Sequence, residues 1–368
     1  GLSGETLAVA RRHLSRNKEA LKLLDKAAGM ERCRYPLDFT QGGAPEMRYV
    51  RELRSAARLL KLESLVHASE GESGQVADSI IDIFGAAKSM KSVPDWTWQT
   101  PRMALEWEAL HSFRRTAALT RLSEADLKRL AEAFQNAEKG AGRSMRRGLV
   151  GSMTETLHLD DKHLRHYMGP VGSGSTGAGH MLEEAHMRSV LLGVYALSGL
   201  KGLDRLKVAS GIDRVAGIFD KPPSRRVGAA RKVESDLTYV PDSRIGGQLH
   251  AVRAFALPPV SSAVVGHVRC LALLRAARVA TAVERFRLDR GRLPEDLSEL
   301  TTGYLETIPT DPFDGKPLRY LRRLDEYVIY SVGDDCKDDG GSSEHQNVRP
   351  DVAFSMQTPG GEGSPGSD

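Results

Sequence analysis

Apolar residues recur every three or four positions along most of the chain, which predicts a largely helical protein. Ala20, Leu21, Leu24 and Ala28 form one such face, capped at its start by Ser15 or Asn17 and ending near Gly29. Leu53, Ala56, Ala57, Leu60 and Val66 mark a helix over residues 52–69. After the break at residues 71–74, Val76, Ile80, Ile83 and Ala87 mark its partner. Two helices joined by so short a turn form a hairpin, and at roughly 34 to 40 residues it has the length of a tetratricopeptide-like unit. That repeat's diagnostic Trp, Tyr and Pro positions are not in place.

Residues 102–119 continue the helical pattern. Ser123 with Asp126 three positions on opens a further helix, Glu124 to Lys139, with a capping-box-like start. Helix formers dominate residues 145–165, the Gly-rich stretch at 169–179 breaks the pattern, and periodicity returns over residues 181–200. From there to Pro259, polar and Pro-containing pieces such as residues 221–224 predict turns and long connections.

The character then changes. Val265, Val268, Leu271, Leu274, Val279 and Val283 place an apolar stripe on one long helix over residues 262–288, followed by strand-like runs at residues 318–321 and 327–330. Gly291 ends the helix in the left-handed conformation, Pro294 forbids its continuation, and Asp296 or Ser298 caps a short turn. The expected fold class is mainly α: a helical-hairpin domain at residues 1–255, a small α+β module at 256–355, and a disordered Gly/Pro/Ser tail at 356–368.

The words carrying the C-terminal pattern are ATAVERFRLDRGRLPEDLSEL from Ala280, YLETIPTDPFDGKPLRY from Tyr304 and YVIYSVGDDCKDDGG from Tyr327. In this order and spacing, residues 262–354 resemble the periplasmic part of a major (G-type) pseudopilin of type II secretion. The resemblance implies a long helix packed on a short antiparallel sheet and a structural calcium ion. It also implies an extracytoplasmic setting, periplasmic or at the cell surface, with any export signal or anchor upstream of Gly1 and removed. Carried over residue by residue, the calcium ligands are the Val332 carbonyl and the carboxylates of Asp335 and Asp351, with Asp338 beside them. Calcium takes six to eight oxygens, and the acidic stretch from Asp334 to Asp339 supplies them. Cys336 stands where the family usually has glycine.

The remaining chemistry is sparse. A formal net charge of +4 from 52 basic and 48 acidic residues does not select nucleic acid as partner. Cys33, Cys270 and Cys336 lie far apart without a CxxC spacing, and Cys270, on an apolar helix face, reads as core. Residues 172–177 match GxGxxG without a preceding strand, so they read as linker. Arg143, Arg146, Arg147, Arg225, Arg226, Arg231 and Lys232 read as solvated faces because no aromatics are interleaved with them. His158, His163, His166, His180 and His186, with Asp160, Asp161, Glu183 and Glu184, are the residues a transition-metal hydrolase would use. Trp96 and Trp98 are close enough to form a binding ridge, a reading that fails if both are buried. The leading expectation is a non-catalytic protein that binds protein partners. A metal-dependent hydrolase at residues 158–186 and a helical adaptor without metal are its rivals.

Overall fold

The computed structural model describes residues 3–38, 47–157, 200–238, 258–323, 326–342 and 351–357. The protein is mainly helical with one small antiparallel sheet. The helices of the first part are α1 (Gly4–Arg16), α2 (Lys18–Ala28), α3 (Arg48–Glu70), α4 (Ser73–Ser89), α5 (Trp96–Ala117), α6 (Glu124–Glu138) and α7 (Ala141–Leu157). The Ser123 hydroxyl accepts the Asp126 N–H at 3.1 Å and donates to its carboxylate at 2.6 Å, so Ser123 caps the helix as expected, with a side-chain bond in place of the second backbone bond of a full capping box.

Helix α5 begins six residues before the expected start at Arg102, ahead of Pro101. The cap makes this tolerable: buried Asp95 accepts the Thr97 N–H at 2.6 Å and fixes the first turn before the proline is reached. Helix α7 rides on this segment, and Gly151 permits it. A Cβ there would lie 1.9 Å from the Pro94 carbonyl oxygen.

The expectation of turns and connections between residue 200 and Pro259 is corrected for the described part. Residues 200–238 form two helices, α8 (Leu200–Ile218) and α9 (Pro223–Thr238). The Pro222–Pro223 pair is only their connection, because Pro223 opens α9, where a missing N–H costs nothing. Apolar Val208, Val215, Val227, Ala230, Val233 and Leu237 are buried between neighbouring elements.

Helix α10 (Val260–Arg290) is the long helix expected from sequence, and Gly291 ends it at φ 69°. A single apolar stripe was expected, but burial runs around most of the helix, from Val264 and Val268 through Ala272, Leu274, Ala277, Val279 and Val283. It packs on α5, α6, α7 and α9 and, on another side, on the sheet. Its length and composition would suffice to cross a bilayer, yet 67% of its most apolar window is buried in the protein. The hydrophobic core is continuous across the boundary expected near residue 256.

Strands β1 (Arg319–Arg322), β2 (Glu326–Ser331) and β3 (Val352–Gln357) form an antiparallel sheet in that order, with Tyr320 opposite Ile329 and Ile329 opposite Phe354. Buried Tyr327 joins sheet to helix, its hydroxyl donating to Glu284 at 2.9 Å. Burial, and then the adjacent Glu284, push that phenol well up. Strand β3 was not expected, and its last residues, Met356 and Gln357, had been assigned to the tail. Met356 is buried, so these two residues belong to the sheet and not to the tail.

Candidate functional site

The turn at residues 310–319 and the loop after β2 are sewn together by Asp311, whose side chain has no exposed surface. Its Oδ1 accepts the Phe313 N–H at 2.8 Å and the Ser331 hydroxyl at 2.7 Å. Its Oδ2 accepts the Val332 N–H at 2.9 Å and Arg319 Nη1 at 2.8 Å. Arg319 also reaches Asp314 at 2.6 Å and Asp338 at 3.3 Å, so one guanidinium serves three carboxylates. In sequence, Asp311 stands in the turn-forming run Thr310-Asp311-Pro312. No local signal distinguishes a turn aspartate from one that also caps a distant strand end.

Of the expected calcium ligands, Val332 and Asp338 join this knot directly, through Asp311 and Arg319. Val332 is buried, follows β2 directly and precedes a short 3₁₀ turn, Gly333–Asp335. Asp334 ties the loop to the helices through Arg231 at 3.0 Å and Arg269 at 3.3 Å. Asp335 accepts the Lys337 N–H at 3.1 Å. Asp338 accepts from Tyr330 and from the Gly340 N–H, both at 3.1 Å, and burial followed by this carboxylate pushes the Tyr330 phenol up to about 12. Cys336 lies at φ 58°, the one non-glycine residue with positive φ among the described residues.

Asp351, 3% exposed, differs from the other carboxylates. Its Oδ2 accepts the N–H groups of Asp339 at 3.1 Å and Gly341 at 2.8 Å, while Oδ1 is buried without a partner. Burial raises its carboxyl above the ordinary aspartate range, only partly offset by those two N–H groups. A buried carboxylate oxygen without a donor, beside a loop of acidic side chains, is chemistry that a hard cation completes.

Among the described residues, the group whose ligand atoms lie within 4.8 Å of one another is a different one: His67, Glu70 and Glu72 at the α3–α4 turn. Its members already have protein partners, His67 with Glu72 at 2.6 Å and Glu70 with Arg11 at 2.6 Å. The histidine-rich stretch from His158 to His186 lies outside the described residues, as does the Gly-rich string at 172–177.

No family model, curated protein or solved structure matches this chain. The site therefore stands on its own geometry.

A second polar group, invisible to sequence reading, lies between α5 and α10. Arg102, with no exposed surface, donates to Gln99 at 2.9 Å and to Glu106 at 2.5 Å, and the Cys270 thiol donates to the other Glu106 oxygen at 3.2 Å. Burial first, and Glu106 second, push that thiol well up, which suits a core thiol and not a nucleophile. Arg226, expected on a solvated face, is half-buried against Phe219 and lies 3.4 Å from His267. Of the tryptophans, Trp98 is fully buried and Trp96 partly so, and Trp107 is the exposed one. Trp98 therefore belongs to the core, while Trp96 keeps part of its surface in solvent, so only one of the two expected ridge residues is removed from it.

Proposed function

We propose that this chain is a non-catalytic structural or interaction protein acting outside the cytoplasm, related to type II secretion pseudopilins through its C-terminal unit. In this reading the hairpins of the helical part, tetratricopeptide-like in length, present surface to protein partners. The C-terminal unit serves as a cap, built on the long helix and short antiparallel sheet that the resemblance implies. The observation that carries the calcium assignment is the unpartnered, buried Oδ1 of Asp351, whose other oxygen is bonded to the N–H groups of the acidic loop at Asp339 and Gly341. Calcium would be held by the Val332 carbonyl, Asp335, Asp338 and Asp351. Bound there, it would supply positive charge that lets the clustered carboxylates of residues 334–339 lie close together.

Thermal unfolding with calcium and with EDTA tests this. Saturating calcium should raise the melting temperature by roughly 5 °C or more, and Asp351→Ala should abolish the response. A melting curve indifferent to calcium, in protein that retains its helical circular dichroism, would remove the metal from the proposal.

A further inference from the structure

A groove of about 200 Å³ opens where α5, α10 and the edge strand β3 meet. Its floor is apolar and buried, made by Leu110, Leu273 and Phe354. One wall is Trp107, which leaves 55% of its surface in solvent, an expensive position for so large an apolar ring. One and two turns further along α5, the same helix face brings His111 and Arg114 to the groove.

The charge at this wall is unbalanced. Among the described residues Arg114 has no ion pair, and its close polar neighbour is His111 Nε2 at 3.2 Å. Glu326, the carboxylate it senses at longer range, is held by Arg323 at 2.6 Å. Arg115 adds a second cation without an ion pair among the described residues, and Lys61 beyond it is already matched to Glu108 at 2.7 Å. Burial followed by Arg115 lowers the Arg114 pKa, as expected of a partly desolvated cation lacking a counter-ion. Tryptophan and arginine flanking a buried apolar floor is also the composition of binding hot spots.

We propose that this groove docks an acidic peptide segment of another protein, one aromatic or branched aliphatic side chain seated on the Leu110–Leu273–Phe354 floor against Trp107, with a carboxylate on Arg114. The site is remote in chemistry from the acidic loop, so it stands whether or not that loop holds calcium.

The test uses the full chain and two fluorescein-labelled heptapeptides. One alternates acidic residues with a leucine and a phenylalanine, and the other replaces every acid by lysine. Fluorescence anisotropy should show binding of the acidic peptide alone, weakening as salt rises from 50 to 500 mM. Trp107→Ala and Arg114→Glu should each raise its dissociation constant by roughly tenfold or more, and Arg114→Lys by less. Both sites are at the surface, and melting curves verify folding. Equal binding of the lysine peptide, failure of the acidic peptide to bind at millimolar concentration, or an affinity unchanged by Trp107→Ala overturns the proposal. Sedimentation showing self-association that Trp107→Ala abolishes would assign the groove to a second copy of the chain instead. Running the titration with calcium and with EDTA separates this result from the metal assignment.

Discussion

Arg319 meets Asp311 at 2.8 Å although the two residues flank opposite ends of a tight turn, and the carboxylate it meets has no exposed surface. Four donors converge on that one side chain, so its removal strands all of them at once. Asp311→Ala should cost about 3–5 kcal/mol, the range for breaking a buried, hydrogen-bonded ion pair, as read by urea unfolding. Arg319→Lys should cost less, since Asp314 and Asp338 are less buried than Asp311.

Two groups should give the stability curve opposing pH slopes. Asp82 has no hydrogen-bond or ion partner among the described residues, and burial, then Asp25, Glu63 and Asp78, push its carboxyl up to about 7. The folded state therefore holds a proton that the unfolded chain has released, and stability falls as pH rises from the ordinary aspartate range to about 7. Asp82→Asn should be more stable than the parent at pH 8 by about 1–2 kcal/mol after allowance for solvent screening, with no advantage near pH 4.

His267 works in the other direction. Burial, then Arg102 and Arg226, push its imidazole down to about 3. The unfolded state takes up the proton first, so this contribution is present above about pH 6.5 and is lost as pH falls toward 3. His267→Gln should flatten the acid side of the curve, measured by denaturant unfolding at pH 4, 5 and 7. An acid limb as steep as the parent's would mean that other groups carry it.

Gly151 and Gly228 form a matched pair. A methyl group at Gly151 meets the Pro94 carbonyl oxygen at 1.9 Å, a backbone atom that cannot yield, whereas one at Gly228 meets nothing within 4 Å. Gly151→Ala should destabilise by about 1–3 kcal/mol or more. Gly228→Ala should stabilise by about 0.5–1 kcal/mol, because α9 gains a better helix former. Thermal melts of the two variants should move in opposite directions.

Cys336→Gly is the corresponding relief of strain. A residue with a Cβ at φ 58° costs roughly 1–2 kcal/mol, and glycine's greater unfolded-state entropy returns part of that. The variant should gain up to about 1 kcal/mol. A loss instead would show that the thiol's packing matters more than its backbone.

Much of the fold could be read locally. The Ser123–Asp126 cap, the Gly291 stop and the Asp296 cap are interactions over three or four residues, and each is found where expected. The misses are of another kind. Strand β3 is short and follows a polar stretch, and what makes it a strand is its partner β2, more than twenty residues earlier. Helices α8 and α9 were obscured by reading Pro222 and Pro223 as breakers of a long segment when they only separate two helices. At the candidate site, the acidic residues were visible but not the single unpartnered oxygen of Asp351, which depends on donors from residues 339 and 341 meeting the start of a strand ten residues on. Arg102 and Glu106 gave no warning, because two charges one turn apart usually mark a solvated face.

Because α10 is packed on nearly every side, the apolar surfaces of α5, α6, α7 and α9 are completed only by residues that leave the ribosome after them. Until those residues emerge, the helices made before them carry an open apolar trench where α10 will lie. Chaperone dependence and aggregation during expression should thus track how soon residues 260–290 arrive, and a chain stopped before them should be the species that precipitates.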